Sequence, residues 1–412
     1  MHHRKMQTHT LHKFFFGNVE ISRELKLLLF IGGLYALSTA LSNTFVNVYI
    51  WKQQNDYITI ALFNLFIVIA QPLVFIIAGR WAKQVDRIIV LRLGVFFLSI
   101  FYLVVLLLGT LATKFVILLG VLLGIGFGFY WLAFNVLTFE ITEPDTRDIF
   151  NGFFGLLGSF AGMIGPFLAG LIITKMENLK GYTLIFALSL GFFVIAVILS
   201  FFLKRRSAEG KFVLKNVIRL KNIGPNWRGI LLGNLAQGLR EGSFLFLITI
   251  WVFVAAGNEL ALGTFSLVTS TVAFIFYYIT GRFLSKKFRI RSVLFGSIIL
   301  GLAVWIIAFN LTFTKLMIYG VIASIAYPIL IVPFVSMTYD VIGKAKNAAD
   351  WRIEYVVGRE IFVNIGRIIS ILLFMLIMTL FDEKKALPYF ILFLGHVQIL
   401  IYFFIRKIKM ED

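Results

Sequence analysis

The sequence predicts an all-α membrane protein: twelve transmembrane helices in two pseudo-symmetric six-helix halves. Three observations carry this: composition, the placement of charge, and an internal repeat. Of 412 residues, 60% are apolar and only 14% are charged, with a mean hydropathy of +0.93; a soluble domain carries roughly a quarter charged residues. The apolar residues come in continuous blocks of about twenty, enough to cross a hydrocarbon core about 30 Å thick. Only helical bundles and closed barrels satisfy their backbone in lipid. Barrel strands would alternate over short segments, and these blocks do not.

Twelve blocks can be counted, at 25–50, 57–80, 88–110, 114–139, 150–174, 182–203, 229–254, 261–281, 291–311, 315–341, 358–381 and 388–405. With both termini in the cytoplasm, 29 of the 39 Lys and Arg fall in the tails and cytoplasmic loops, 7 in external loops, and three within spans. That bias predicts both ends inside. It also accounts for most of the formal charge of +19 without nucleic acid as a partner. The expected organisation is a cytoplasmic tail (1–24), a first half (25–203), a basic cytoplasmic linker (204–228), a second half (229–405) and a short tail (406–412). Within the linker, "FVLKNVIRL" has helical spacing and is expected to lie along anionic headgroups. The N-terminus lacks a short apolar core followed by a small-residue cleavage site, so no cleavable signal is expected. A lysine-rich chain of this kind suits a bacterial inner membrane.

The repeat predicts the two halves. "GRWAKQVDRIIVLRLG" (Gly79–Gly94) and "GRFLSKKFRIRSVLFG" (Gly281–Gly296) align without gaps at an offset of 202. They match at both terminal glycines, at Arg80 and Arg282, at Arg87 and Arg289, and at Ile88 and Ile290. "LTFEI" (Leu137–Ile141) meets "MTYDV" (Met337–Val341) at an offset of 200, as Trp51 meets Trp251. Parallel six-span repeats are one layout of secondary transporters, with the substrate site between the halves.

These residues resemble the major facilitator superfamily, along the whole chain at the level of topology and repeat. The family's loop signature after the second span is G-x-x-x-D-R-x-G-R-R, followed by an apolar residue and a glycine. Gly79, Arg87, Leu91 and Gly94 fall on it, while Lys83 occupies the acidic position and Asp86 the inner glycine. In relatives that acid helps latch the cytoplasmic ends of the halves, which leaves Asp86 as the acid expected to serve here. The fifth span is similar to the G-x8-G-x3-G-P-x2-G-G signature of drug:proton antiporters: Gly152, Ala161, Gly165, Pro166, Ala169 and Gly170 stand at its six positions. Such small residues let helices approach closely. The resemblance therefore implies alternating access, with efflux favoured. The arginine that such antiporters carry in the fourth span is missing from "VILLGVLLGIGFGFYWLAFNVL", which places any proton coupling elsewhere.

The sequence offers other candidates. In "GREIFVNIGRIISILLFMLIMTLF" (Gly358–Phe381), Arg359, Glu360, Asn364 and Arg367 crowd the first half of a span. A charge at the centre of a span costs at least about 2.5–3.5 kcal/mol and normally faces a partner or a wet cavity. Glu360, Asn364 and Arg367 share one helical face, with Arg359 about 100° away and expected to snorkel. The seventh span carries Gln237, Arg240 and Glu241 at a similar depth. Adjacent residues cannot face one direction, so Arg240 and Glu241 need separate partners, and Glu241 is expected to pair with Arg367. In the first half, Asn43, Asn47, Asn64, Gln71, Tyr130, Trp131 and Asn135 either line a cavity or join helices. Glu140 and Asp340, at equivalent ends of the fourth and tenth spans, suit gate or loop salt bridges.

No cysteine is present, and four of the five histidines (His2, His3, His9, His12) sit in the tail, with His396 alone in a span. No metal site or cofactor is therefore expected. There is no G-x4-G-K-[ST] loop for ATP and no nucleophile–base arrangement, so an enzyme is not expected. The expectation is a monomeric secondary transporter among membrane lipids, exporting a small or amphipathic solute in exchange for protons. The alternatives are an organic-anion or lipid/lysolipid transporter using the intramembrane arginines, and a scaffold or sensor that does not transport.

Overall fold

The computed structural model describes residues 22–141, 144–177, 179–204, 210–219, 223–345, 347–348 and 350–408, with side chains left aside from 139 to 153. Among the described residues there is no strand. The helices are α1 (Arg23–Gln54), α2 (Tyr57–Gln84), α3 (Arg87–Leu108), α4 (Val116–Ile141), α5 (Pro144–Lys175) and α6 (Lys180–Ser200), then α7 (Pro225–Ala256), α8 (Glu259–Phe283), α9 (Arg289–Ala308), α10 (Phe313–Gly343), α11 (Arg352–Leu380) and α12 (Glu383–Val397, continued by Ile399–Ile405). Among the described residues, eleven helical stretches are long and apolar enough to cross a membrane, and one of them, Arg87–Thr138, runs for 52 residues. As a single helix it would measure about 78 Å, more than twice a bilayer core. Gly109, at φ +50°, breaks it, and a 3₁₀ turn over Gly109–Phe115 reverses the chain so that α3 and α4 pack side by side. Among the described residues this makes twelve spans.

Helix ends follow capping chemistry rather than hydropathy, so most spans outrun their apolar blocks. Ser22, Asp56, Asp86, Asn258, Thr312 and Asp382 accept hydrogen bonds from the first free N–H groups of α1, α2, α3, α8, α10 and α12. The largest consequence is in α11, which starts at Arg352, six residues before its apolar block. Those extra turns bring Glu354 into the helix.

The repeat is visible in the packing. Pairs α1–α5, α1–α6, α2–α4, α3–α4 and α3–α6 recur six helices later as α7–α11, α7–α12, α8–α10, α9–α10 and α9–α12. The matched glycines do the same work twice: a Cβ on Gly94 would lie 2.4 Å from the Tyr130 amide nitrogen, and one on Gly296 2.8 Å from that of Leu330. The halves meet along two seams, α2 against α11 and α5 against α8.

The linker departs from expectation. Residues 210–214 are non-helical, and only Lys215–Ile218 form a helical turn. This segment does not lie as a headgroup helix; it docks beneath the α2–α11 seam. Phe212 packs on Gly79, Val217 is fully buried, and the Val217 carbonyl accepts a hydrogen bond from Trp227 Nε1 at 3.0 Å. The extended part keeps an N–H free for an outside partner, Val213 N donating to Glu354 Oε1 at 2.9 Å, where a helix would have used it internally. Below, the linker face is the membrane face carrying this segment, and the far face is the opposite one.

Candidate functional site

The site is built where α7 crosses α11. Gly238 and Gly242, four residues apart, bring the two backbones together: a Cβ on Gly238 would stand 1.9 Å from the Val363 carbonyl oxygen, and one on Gly366 2.2 Å from that of Leu235. Ser243 and Ser370 then hydrogen-bond across the crossing at 3.0–3.2 Å. This G-x-x-x-G spacing is present in the sequence but is masked there by the charges around it. Gly366→Ala is expected to force the helices apart and cost several kcal/mol, as overpacking at a rigid contact does. Loss of thermal stability of the purified protein would measure this, with Ser370→Ala, which removes hydrogen bonds but no space, as the milder comparison.

At this crossing Arg367 Nη2 lies 2.7 Å from Glu241 Oε2, the pairing anticipated from the sequence. Glu241 Oε1 accepts hydrogen bonds from Gln237 Nε2 and Tyr327 Oη, both at 2.8 Å. Arg367 also reaches Asn364 Oδ1 at 3.4 Å, and Asn364 donates back to the Glu360 carbonyl. Tyr327, on α10, was not a candidate from sequence. A tyrosine before a proline in an apolar span reads as packing until α10 is placed against α7. Arg240 turns to the other side of α7, toward Tyr319 and the ring of Phe244. Arg359 does not snorkel outward: its Nε lies 3.3 Å from Asn234 Oδ1 of α7, and it lines the central cavity.

Two cavities meet at this cluster. The central one, about 620 Å³, lies between the halves and is walled by Asn43, Asn47, Asn64 and Gln71 from α1 and α2, by Trp131 and Asn135 from α4, and by Tyr339, Arg359, Glu360 and Arg367 from the second half. Asn64 donates to Asn47 Oδ1 at 2.8 Å, so part of this amide surface is self-paired. Tyr130 is not a cavity residue. It is fully buried inside the first half, its ring stacked on Tyr35 at 3.8 Å, because the close contact at Gly94 turns that face of α4 inward. The second cavity, about 540 Å³, sits among α7, α8 and α10, and Arg367 and Leu245 line both.

Ion pairs join the halves at both faces. On the linker face Lys83 Nζ lies 2.6 Å from Glu354 Oε1 and also donates to the Asp350 and Lys211 carbonyls at 2.8 and 3.3 Å. The same Glu354 oxygen accepts from Val213 N at 2.9 Å. The latch expected of Asp86 is thus made by Lys83 with its charge sense inverted. Asp86 is buried and caps α3, where its carboxylate serves the Ile88 N–H. On the far face Lys52 Nζ meets Glu259 Oε1 at 2.7 Å, with Tyr182 Oη on the same oxygen.

Of the other candidates, Arg289 pairs with Asp340 at 2.6 Å within the second half. Gly281 is open, whereas Gly79 is pressed by Phe212 and Val357. On α5, Gly165 packs on Ala40 of α1, while Gly170 and Pro166 meet Glu259 and Gly263 of α8 across the seam. The surroundings of Glu140 and Gly152 lie outside the described residues.

The sequence profile of the Major Facilitator Superfamily matches residues 28–350. An uncharacterized protein, YqgE of Bacillus subtilis (strain 168), is 53% identical over 396 residues, covering 96% of this chain and 92% of its own length. A second uncharacterized protein, in the sodM 3′ region of Geobacillus stearothermophilus, is 62% identical over 170 residues, 41% of this chain and 79% of its own. Among solved structures, the human organic anion transporter MFSD10 (TETRAN) superposes with a TM-score of 0.69 at 13% identity, over 93% of this chain and all of that one. A POT family transporter does so with a TM-score of 0.72 at 14% identity, over 96% and 97% of the two chains. At such identities the structures speak to fold alone, and that fold is the two six-helix halves described above. With its profile covering most of the sequence, the chain belongs to the Major Facilitator Superfamily of membrane transporters.

Proposed function

We propose that the protein is a proton-coupled transporter that moves a small polar or amphipathic solute through the central cavity by alternating access, with Glu241 carrying the proton. The observation that carries this reading is the Glu241–Arg367 pair at the boundary of the two cavities. A buried ion pair is held in near balance between desolvation and attraction, so a modest change in its surroundings can part it. A solute that engages Arg367, or a rocking of the halves that draws α11 from α7, would leave the carboxyl with only neutral partners, Gln237 and Tyr327. A dry carboxyl without a cation holds its proton, and the return of Arg367 expels it. Asn43, Asn47, Trp131 and Asn135 are the solute's partners on the first half; Glu360 and Asn364 position Arg367. The resemblance of the small-residue pattern in α5 to the drug:proton antiporter signature favours export. The Lys and Arg bias supports a cytoplasmic position for both termini and the linker face.

The test is reconstitution into liposomes with a trapped pH dye and an imposed proton gradient, adding lipophilic cations, organic anions and lysolipids one at a time. Proton movement that depends on one class and vanishes in Glu241→Gln is expected. Solute-dependent proton movement that persists in that variant would remove Glu241 from the coupling.

A further inference from the structure

The second cavity holds a charge that the coupling mechanism does not use. Among the described residues it is lined by α7, α8 and α10 together with Arg367, and its walls are aromatic: Phe244, Phe265, Tyr277, Tyr319 and Tyr327. Besides the Glu241–Arg367 pair, its one charged side chain among them is Arg240. Glu241 follows Arg240 in sequence but points about 100° away around the helix and is committed to Arg367. The contacts of Arg240 are one long hydrogen bond to Tyr319 Oη at 3.4 Å and the ring faces of Phe244 and Tyr327, with centroids at 4.9 and 5.7 Å. Its Nε is buried with no hydrogen-bond partner.

A guanidinium has five N–H donors and is never deprotonated in a protein. Placed midway along a span, it is normally matched by a carboxylate or by backbone carbonyls; here ring faces stand where an anion would, and they offset only part of a full charge. We infer that this pocket, which adjoins the central cavity at Arg367 and Leu245, is a second ligand site for an organic anion with an aromatic body. Its carboxylate or sulfonate would meet Arg240 through a bidentate contact. Its ring system would lie among Phe244, Phe265 and the tyrosines, whose ring faces and edges favour stacked and edge-on partners. A volume of about 540 Å³ is within the range that encloses a small organic ligand.

The test uses the purified full chain in detergent and equilibrium dialysis with radiolabelled 2-naphthoate. 2-Naphthamide serves as the neutral isostere and dodecanoate as the acyl-chain anion a lipid would supply. Naphthoate is expected to bind saturably, at least tenfold more weakly to Arg240→Met, several-fold more weakly to Arg240→Lys, and unchanged to Arg359→Met, whose side chain lines the central cavity and not this pocket. The amide is expected not to compete. The lysine variant keeps the charge while losing the planar fork, so it still reads the site if the methionine variant proves aggregated by size exclusion. Equal affinity for wild type and Arg240→Met, or no saturable binding to monodisperse wild type, would overturn the site. Dodecanoate competing as well as naphthoate itself would overturn the aromatic assignment. Binding in detergent needs neither gradient nor turnover, so this site and the proton-coupling role of Glu241 fail separately.

Discussion

Glu241→Gln and Arg367→Met are each expected to destabilise the protein by about 3–5 kcal/mol, the cost of leaving one member of a buried ion pair without its partner. The double variant is expected to regain most of that loss and yet to transport nothing. In Glu241→Gln, the amide can still serve Gln237 and Tyr327 through its oxygen, but its NH2 faces an arginine that has lost its counter-charge. Removing both charges leaves no unpaired charge, and replacing a buried pair with neutral residues is often neutral or better for stability. A structural pair and a working pair therefore separate in one cycle. If the pair only fixes helix register, the stable double variant should still move solute in liposomes. If it carries the coupling, thermal stability returns and gradient-driven flux does not. A double variant as unstable as either single one would instead place the defect in packing at the α7–α11 crossing.

Lys83→Glu is expected to open the linker face. Lys83 and Glu354 are 7% and 0% exposed, so the substitution sets two carboxylates at hydrogen-bonding distance with little water to screen them. It also removes the donor to the Asp350 and Lys211 carbonyls, which holds the linker in place. The chain has no cysteine, so Val335→Cys, in the central cavity, provides a single thiol for a membrane-impermeant maleimide. Labelling from the linker face should rise at least tenfold in the Lys83→Glu background, the response to a latch weakened by about 1.4 kcal/mol or more. The reversed pair, Lys83→Glu with Glu354→Lys, should restore protection only in part. Position 354 is in the first turn of α11, where the free N–H groups and the helix dipole favour an acid over a base. Full protection by the reversed pair would mean that the dipole contributes nothing to the latch. Labelling unchanged by Lys83→Glu would mean that the latch does not hold this face closed.

The inverted polarity of that latch marks the limit of motif reading. The loop signature falls on a segment whose Lys83 pairs with Glu354 of the other half, but a signature records residue types and not their partners. Glu354 lay outside its apolar block because Arg352 and Glu354 lower the hydropathy there, although the helix continues through them. Tyr130 and Arg359 erred for a related reason. Helical spacing places a residue on a face, but which faces point inward depends on which neighbour comes close, and Gly94 and Asn234 made that choice.

The twelve spans, the two repeats and the polar residues within the membrane were determined by the sequence alone. In lipid every backbone group must be satisfied within its own helix, so each span is declared by local composition, and a charge that breaks the pattern stands out wherever it sits. The partners of those charges were decided only by the tertiary structure. Arg367 met Glu241, Lys83 met Glu354 across the halves, the linker docked under the seam instead of lying on the headgroups, and Arg240 was left facing aromatic rings. These pairings depend on how helices far apart in the chain cross; small-residue spacing marks a close crossing in the sequence, but the identity of the helix on the other side has no local signature.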